Sequence, residues 1–386
     1  MTWNGGNITV DQIAVDRSHV EIERDSTHID PFQIGIAHAD LNGISASRPI
    51  HFHAQLDLAK PHGPLDVQGV YGPFSAAHPE TAPVSGTFRV EHADLAPFHG
   101  LEGTLTAQGK FSGPSGRIHV DAVSDIANLK VGGQHHHLVN ITAKIEATVN
   151  GANADAHLDL LETKLLGTDV HWTGDVTGEP DPGKTARLEM TSEVARIQDL
   201  LYFVTQDPRP LLYGPVSFRA RVVLPPGPRP FLEKVQMDGD FNIADAQFGR
   251  PQIQSDVVQL SERARGEKKP EEDPESIVSD IQGHVSLRDG IAALSNVSFR
   301  VHGASASLQG TYSVINYVVD LHGQLALQKE LSDTTSGIKS FLLKALDPIF
   351  KRKRAGAVIP VSVTGTYDVP VFKALGMRAG GSSESK

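Results

Sequence analysis

The chain of 386 residues contains no cysteine, which excludes disulfide frameworks, thiol catalysis and thiolate metal sites. Aromatic residues make up only 6% of the sequence and hydrophobic residues 39%, which is little for a compact enzyme of this length. Glycine and proline are abundant instead, with 36 and 24 copies, as expected where many short strands need many turns. We therefore expect a folded protein with much exposed strand edge and little deep core.

Basic residues are fewer than acidic residues. The formal net charge is -11 at pH 7 and the pI is near 5.9, which disfavours a nucleic-acid partner because phosphate binding needs a basic stripe. Residues 1–6 carry neither the basic segment nor the apolar segment of an export signal. No run approaches the ~20 apolar residues of a transmembrane helix, so the sequence predicts neither a signal nor a transmembrane segment.

Apolar and polar residues alternate with a period of two in many parts of the sequence. In residues 51–58, Phe52, Ala54, Leu56 and Leu58 share one face, and the polar residues between them take the other. The same pattern returns in runs that begin near residues 141, 152, 216, 317 and 359. Strands with one apolar and one polar face are typical of an antiparallel sheet that is wetted on one side.

A short element repeats within these strands: an apolar residue, any residue, Gly, any residue, and a second apolar residue. Its glycines lie at positions 69, 86, 103, 174, 239, 283, 310, 323 and 365. A missing side chain inside a strand relieves crowding where the sheet bends or another surface approaches. We favour structural repetition over coincidence in a Gly-rich chain. The predicted fold is therefore mainly β: an elongated, twisted antiparallel sheet curled into an open groove, with one or two amphipathic helices.

Two segments have helical spacing, and composition divides the chain. Residues 194–206 and 336–354 predict helices, the first ended by a proline pair and the second by four cations. The expected organisation is a repeated β-strand groove region at 1–260, a charged loop at 261–276, a β unit with the basic helix at 277–375, and a disordered tail at 376–386.

Motifs for catalysis and metal binding are missing. The sequence has no Gly-x-Ser-x-Gly, no Ser-x-x-Lys, no phosphate-binding loop and no His-Glu-x-x-His. His135, His136 and His137 are consecutive and would point to opposite faces of a strand, so we favour solvated histidines over a metal site. The carboxylates are scattered over polar strand faces. We expect a non-catalytic protein with no metal and no cofactor.

The basic helix is the feature with the most specific physical consequence. Its apolar stripe and cations comprise Phe341, Leu342, Leu346, Ile349, Lys351, Arg352, Lys353 and Arg354. Such a helix suits an anionic membrane surface, where each cation contributes on the order of 1 kcal/mol. The alternative is that the stripe packs on the end of the sheet while the cations are solvated. Both interpretations stay open.

The C-terminal stretch, residues 277–375, resembles the C-terminal region of the AsmA-like family. The similar segments are 308–312, 317–325, 337–344, 347–350 and 358–372. In the last segment a strand pattern is followed by Gly-Thr-x-x-x-Pro. The resemblance implies a long β-sheet groove that is held at the inner membrane by an N-terminal helix and conducts phospholipid towards the outer membrane. This sequence shows no such anchor. The resemblance implies a periplasmic location, with anchoring in a full-length form and envelope proteins as further partners.

The predicted lipid-groove lining consists of apolar residues on strand faces. These are Phe52, Leu56, Leu58, Ile141, Ile145, Val149, Phe218, Val222, Phe299, Val319, Leu321, Val361 and Val363. Two alternatives to a phospholipid-transfer protein remain. One is an outer-membrane assembly or scaffold factor that binds protein clients, and the other is a β-solenoid enzyme acting on glycans, which needs carboxylates converging in one cleft.

Overall fold

The computed structural model describes most of the chain. The described residues are 9–22, 32–45, 47–73, 75, 77–132, 137–178, 183–205, 209–251, 253–255, 257–258, 279–301, 304–327 and 358–374. The predicted basic helix with its eight membrane-surface residues, the charged loop at 261–276 and the tail at 376–386 lie outside them.

Twenty β-strands account for most of the described residues. They are β1 (Val10–Ile22), β2 (Phe32–Ile44), β3 (Ile50–Ala59), β4 (His62–Tyr71), β5 (Pro83–Asp94), β6 (Leu101–Pro114), β7 (Ile118–Val131), β8 (Val139–Val149), β9 (Ala156–Leu165), β10 (Thr168–Thr177), β11 (Thr185–Arg196), β12 (Leu212–Tyr213), β13 (Pro215–Leu224), β14 (Gln236–Phe248), β15 (Ser279–Arg288), β16 (Ile291–Val301), β17 (Ala304–Ser313), β18 (Val318–Leu327), β19 (Val358–Thr366) and β20 (Pro370–Ala374). They belong to one antiparallel sheet, which confirms the predicted mainly β class.

The helices are short. A 3₁₀ turn spans Pro79–Thr81, α1 spans Ile197–Val204 and α2 spans Phe231–Lys234, and the described residues between 251 and 258 are also helical. The helix predicted at 194–206 therefore exists, but it begins three residues later. The reason is that β11 continues to Arg196, which keeps Ala195 fully buried in an apolar cluster.

The chain forms two compact units. Unit 1 comprises Met1–Ser192 and Arg219–Met237, and unit 2 comprises Glu193–Phe218 and Asp238–Lys386. The boundary predicted at 261–276 lies outside the described residues and stays a prediction. Because the chain passes from unit to unit inside β11, β13 and β14, no loop marks the division.

Unit 1 is built from successive hairpins. Every strand from β1 to β10 pairs antiparallel with the strand that follows it in the sequence, and β10 pairs with β11. In unit 2 the strands β15 to β20 pair successively in the same way. The meander follows from the turn signals between short strands, which favour hairpins over crossovers.

Unit 2 buries its apolar face in two clusters. One cluster consists of Val257, Val301, Ala304, Leu325 and Ile359, and Ile359 is only 2% exposed. The other consists of Ala195, Val216, Ile243, Ala246, Ile281 and Val297, with Ile197 and Leu200 of α1 packed against it. Helical residues thus cover part of this face and remove it from water.

Glycines of the repeat allow close approach between the strands of unit 1. Gly69 of β4 lies directly opposite Gly86 of β5, and a Cβ added to Gly86 would overlap the carbonyl oxygen of Gln68. The same Cβ would lie 2.7 Å from the Phe111 ring, and a Cβ at Gly69 would lie 3.0 Å from the Phe52 ring. The two phenyl rings therefore fill the space above the paired glycines.

We expect Gly86→Ala to destabilise unit 1 by about 1–3 kcal/mol, because the added methyl group meets backbone that cannot move without breaking the register. Gly35→Ala in β2 is the matched control, since its Cβ would meet the side chain of Asp57 at 3.1 Å. Chemical denaturation measures both free energies of unfolding. Equal stability of the two variants would contradict the close approach at Gly86.

Candidate functional site

The register of unit 1 aligns apolar residues of eleven consecutive strands into rows that cross the sheet. The first row runs from β1 to β11 through Val15, Ala39, Ala54, Val67, Phe88, Gly109, Ala122, Ile145, Leu161, Trp172 and Met190. Each of these residues lies directly opposite the next, and directly opposed residues share a face of the sheet.

A second row lies beside the first on the same face. It runs through Ile13, Leu41, Phe52, Gly69, Gly86, Phe111, Val120, Ala147, Leu158, Gly174 and Leu188. Ten steps of about 4.8 Å between strands carry the two rows across roughly 48 Å. Neither row is interrupted by a polar side chain, so together they form an apolar surface that we call the apolar track.

The side chains of the apolar track are only partly removed from water. Ala122 and Ala147 are buried at 9% and 4% exposure, Ile13 of the first strand is exposed, and the other side chains of the track are half-buried by their neighbours in the sheet. The described helices of unit 1 are the 3₁₀ turn and α2, each of three or four residues. In the described part of unit 1, no helical layer covers the apolar track. In unit 2, by contrast, helical residues pack against the apolar clusters.

The opposite face of the same strands is polar. One of its rows runs through Asp16, His38, Gln55, Asp66, Arg89, Gln108, Val123, Lys144, Glu162 and His171. Two depressions, of about 1060 and 830 Å³, open between the long side chains of this face. Most of the residues that line these depressions are polar, and Phe88, Gly109, Ala122 and Ile145 of the apolar track also line the larger one.

Three carboxylates in the larger depression are paired with neighbouring bases. Glu146 lies 2.9 Å from the Nζ atom of Lys144, and Asp121 lies 3.9 Å from the Nζ atom of Lys110. Glu91 lies 3.3 Å from a guanidinium nitrogen of Arg89. Exposed pairs of this kind are solvated and contribute little to stability. The alternative of a glycan-acting enzyme with converging carboxylates stays a prediction.

Histidines on the polar faces form hydrogen bonds with aspartates. The two ring nitrogens of His38 lie 2.6 Å and 2.7 Å from carboxylate oxygens of Asp16 and Asp40. The hydrogen bond that His38 donates to Asp16, followed by that to Asp40, raises the pKa of His38, and the hydrogen bond that Asp40 accepts from His38 lowers the pKa of Asp40. Across the described residues, no three His, Asp or Glu side chains converge on a point where a metal ion would fit.

All thirteen predicted lining residues lie on strands and are half-buried. Phe52 and Ile145 belong to the apolar track, and Leu56, Leu58, Ile141 and Val149 extend its face in parallel rows. In unit 2, Phe218, Phe299 and Val361 are half-buried and pack against the buried clusters. The other predicted positions are Val222 in β13, Val319 and Leu321 in β18, and Val363 in β19.

Sequence reasoning did not select Val67, Phe88, Leu161 and Trp172 as lining residues. Their alternation with polar neighbours was visible, but their place in one continuous row depends on the pairing register. The indole Nε1–H of Trp172 donates a hydrogen bond to Thr163 Oγ1 at 2.9 Å, which orients the ring on this face.

Comparison with known proteins assigns the chain to no family. No family model matches the chain, and no curated protein or solved structure is significantly similar to it. The described helices are all too short or too polar to cross a bilayer.

We expect the pKa of His157 to lie above its ordinary value, because its Nδ1 atom lies 2.7 Å from a carboxylate oxygen of Asp175. Asp175→Asn should lower this pKa, whereas Asp125→Asn on the neighbouring polar surface should leave it unchanged. NMR titration of the imidazole signals measures both. Because the folded-state pKa is raised, the stabilisation from this pair is complete below the unfolded-state pKa and is lost as pH rises through the folded-state pKa. An unchanged pKa in Asp175→Asn would contradict the pairing.

Proposed function

We propose that this protein is a non-catalytic phospholipid-binding and transfer protein of the bacterial envelope, and that the apolar track of unit 1 holds acyl chains. The observation that carries the proposal is the pair of uninterrupted apolar rows across eleven strands. A surface of this extent is far larger than the scattered apolar residues of an ordinary protein exterior, and such surfaces serve as interaction sites.

The chemistry of the apolar track suits a linear hydrocarbon. Removing one methylene group from water stabilises a complex by about 0.8 kcal/mol, so a chain lying along the rows gains free energy with every step. The rings of Phe52, Phe111 and Phe88 lie over Gly69, Gly86 and Gly109, so at these positions the track offers an aromatic surface to a hydrocarbon chain. A charged headgroup would stay in water at the margin of the track, which avoids the burial of its charge.

The resemblance of residues 277–375 to the AsmA-like family supports the same proposal. It implies phospholipid as cargo, a periplasmic location, and attachment to the inner membrane in a full-length form. The basic helix predicted at 336–354 would then contribute contact with an anionic membrane surface. Envelope proteins at either membrane would be further partners.

The proposal predicts that a charge on the apolar track weakens phospholipid binding, while the same charge on the polar face does not. Strand β7 offers a matched pair, because Val120 belongs to the track and Val123 is 50% exposed on the polar face. We expect Val120→Asp to weaken binding at least about tenfold, since tenfold corresponds to only about 1.4 kcal/mol and an unpaired carboxylate against an acyl chain costs more.

Binding is measured with fluorescently labelled phosphatidylethanolamine, after native mass spectrometry and lipid extraction have shown what the purified chain carries. Circular dichroism checks that both variants retain their strands. Equal binding by Val120→Asp, Val123→Asp and the unchanged chain would refute the track as the lipid site. An apoprotein that refuses phospholipid but retains unfolded outer-membrane strands would favour an assembly factor instead.

A further inference from the structure

The outer edge of β1 is a long strand edge without a partner strand in the described structure. β1 runs for 13 residues, and its register with β2 extends from Val10 opposite Ile44 to Ile22 opposite Phe32. The described pairing registers join β1 to β2 and to no other strand, and β10 already pairs with β9 and β11. Every second backbone N–H and C=O group of such an edge points outward, and these groups form hydrogen bonds most readily with another extended strand.

The two terminal strands of the sheet differ in how they resist pairing. β20 has 5 residues, begins with Pro370 and carries the exposed Lys373, which are features that discourage addition of a strand. β1 contains neither proline nor lysine, and it exposes Val10 at 36%, Ile13 at 40% and Val20 at 44%. The edge of β1 therefore lacks the proline and the lysine that discourage pairing at β20.

The pattern of faces along β1 is symmetric about its middle. Ile13 and Val15 lie on the apolar face, because they begin the two rows of the apolar track. Beyond Arg17, which has a φ of +47°, Ser18 and Val20 take the same face, since they lie opposite Ile36 and Ile34. Because Arg17 shifts the alternation by one residue, Ile13 and Val15 share a face with Val20 and Ser18. The strand therefore shows the same order of faces when it is read in the opposite direction.

We propose that β1 is a dimer interface, at which the free edges of two copies of this chain pair antiparallel about a two-fold axis. In this register Ile13 lies opposite Val20 of the other copy, Val15 lies opposite Ser18, and Asp16 lies opposite Arg17. Two-fold symmetry makes each of these contacts twice. The apolar pairs stay on the apolar face, and the central contacts join opposite charges, as a stable cross-strand pairing requires.

The pairing has a consequence for the apolar track. The row that ends at Ile13 in one copy meets Val20 of the other copy, and Val20 leads through Ile34 to Leu58 on the same face. An apolar surface would thus run across both copies without a polar strand between them. The dimer does not depend on lipid binding, so its test is independent of the proposed function.

Disulfide cross-linking tests the register directly, because the chain has no cysteine of its own. In one chain, the two positions of Ile13→Cys/Val20→Cys are roughly 23 Å apart along the strand, too far for a disulfide. Across the proposed interface they are roughly 5 Å apart between Cα atoms, which a disulfide spans. Under mild oxidation we expect a covalent dimer from the double variant and none from Ile13→Cys or Val20→Cys alone.

Light scattering after size exclusion tests the unchanged chain, whose mass should be twice 41.5 kDa. We expect Ile13→Lys to shift this mass to that of the monomer, with strand content preserved in circular dichroism. A monomeric unchanged chain at about 100 μM, well above the Kd of a stable dimer, would overturn the proposal. So would cross-linking of the single-cysteine variants as efficient as that of the double variant, because it would show contacts in another register.

Discussion

The register of antiparallel pairing between β1 and β11 is the constraint on which the candidate site depends. A slip of one residue in any pair would move the following apolar side chains to the polar face and interrupt both rows. Where the register shifts, an extra residue in one strand keeps the apolar side chains of both strands on the same face. His92 and Asn128 have φ values of +50° and +53°, and each lies where the register shifts between neighbouring strands. Left-handed residues at such points are typical of β-bulges.

The two units treat an apolar sheet face differently. Unit 2 packs helical residues and large side chains such as Phe299 against its face, so that its clusters contain residues such as Ile359 and Ala304 with almost no exposure. The described part of unit 1 leaves its apolar face half-buried, and on the opposite face histidines, lysines and arginines pair with carboxylates. A face that is not covered by its own chain must be covered by something else or remain costly to hydrate.

Much of the fold follows from the sequence alone, but the site does so only in part. Alternation with a period of two identifies the strands and the apolar face of each, as at Phe52 and Leu56. The glycine repeat indicates close approach, which the opposed Gly69 and Gly86 display. Continuity of the rows could not be derived, because register depends on tertiary pairing and on bulges at residues that are not glycine. The contact of Phe299 with both clusters of unit 2 likewise depends on tertiary packing.

Fluorescence quenching of Trp172 tests the central claim most directly, because this indole lies in the first row of the apolar track. Trp3 is the other tryptophan in the chain, so a Trp3→Phe variant reports on Trp172 alone. Phosphatidylglycerol brominated in the middle of its acyl chain should quench the emission with a saturable dependence on lipid, whereas the unbrominated lipid should not. Unchanged emission at saturating brominated lipid would contradict the account, because acyl chains would then lie away from the track.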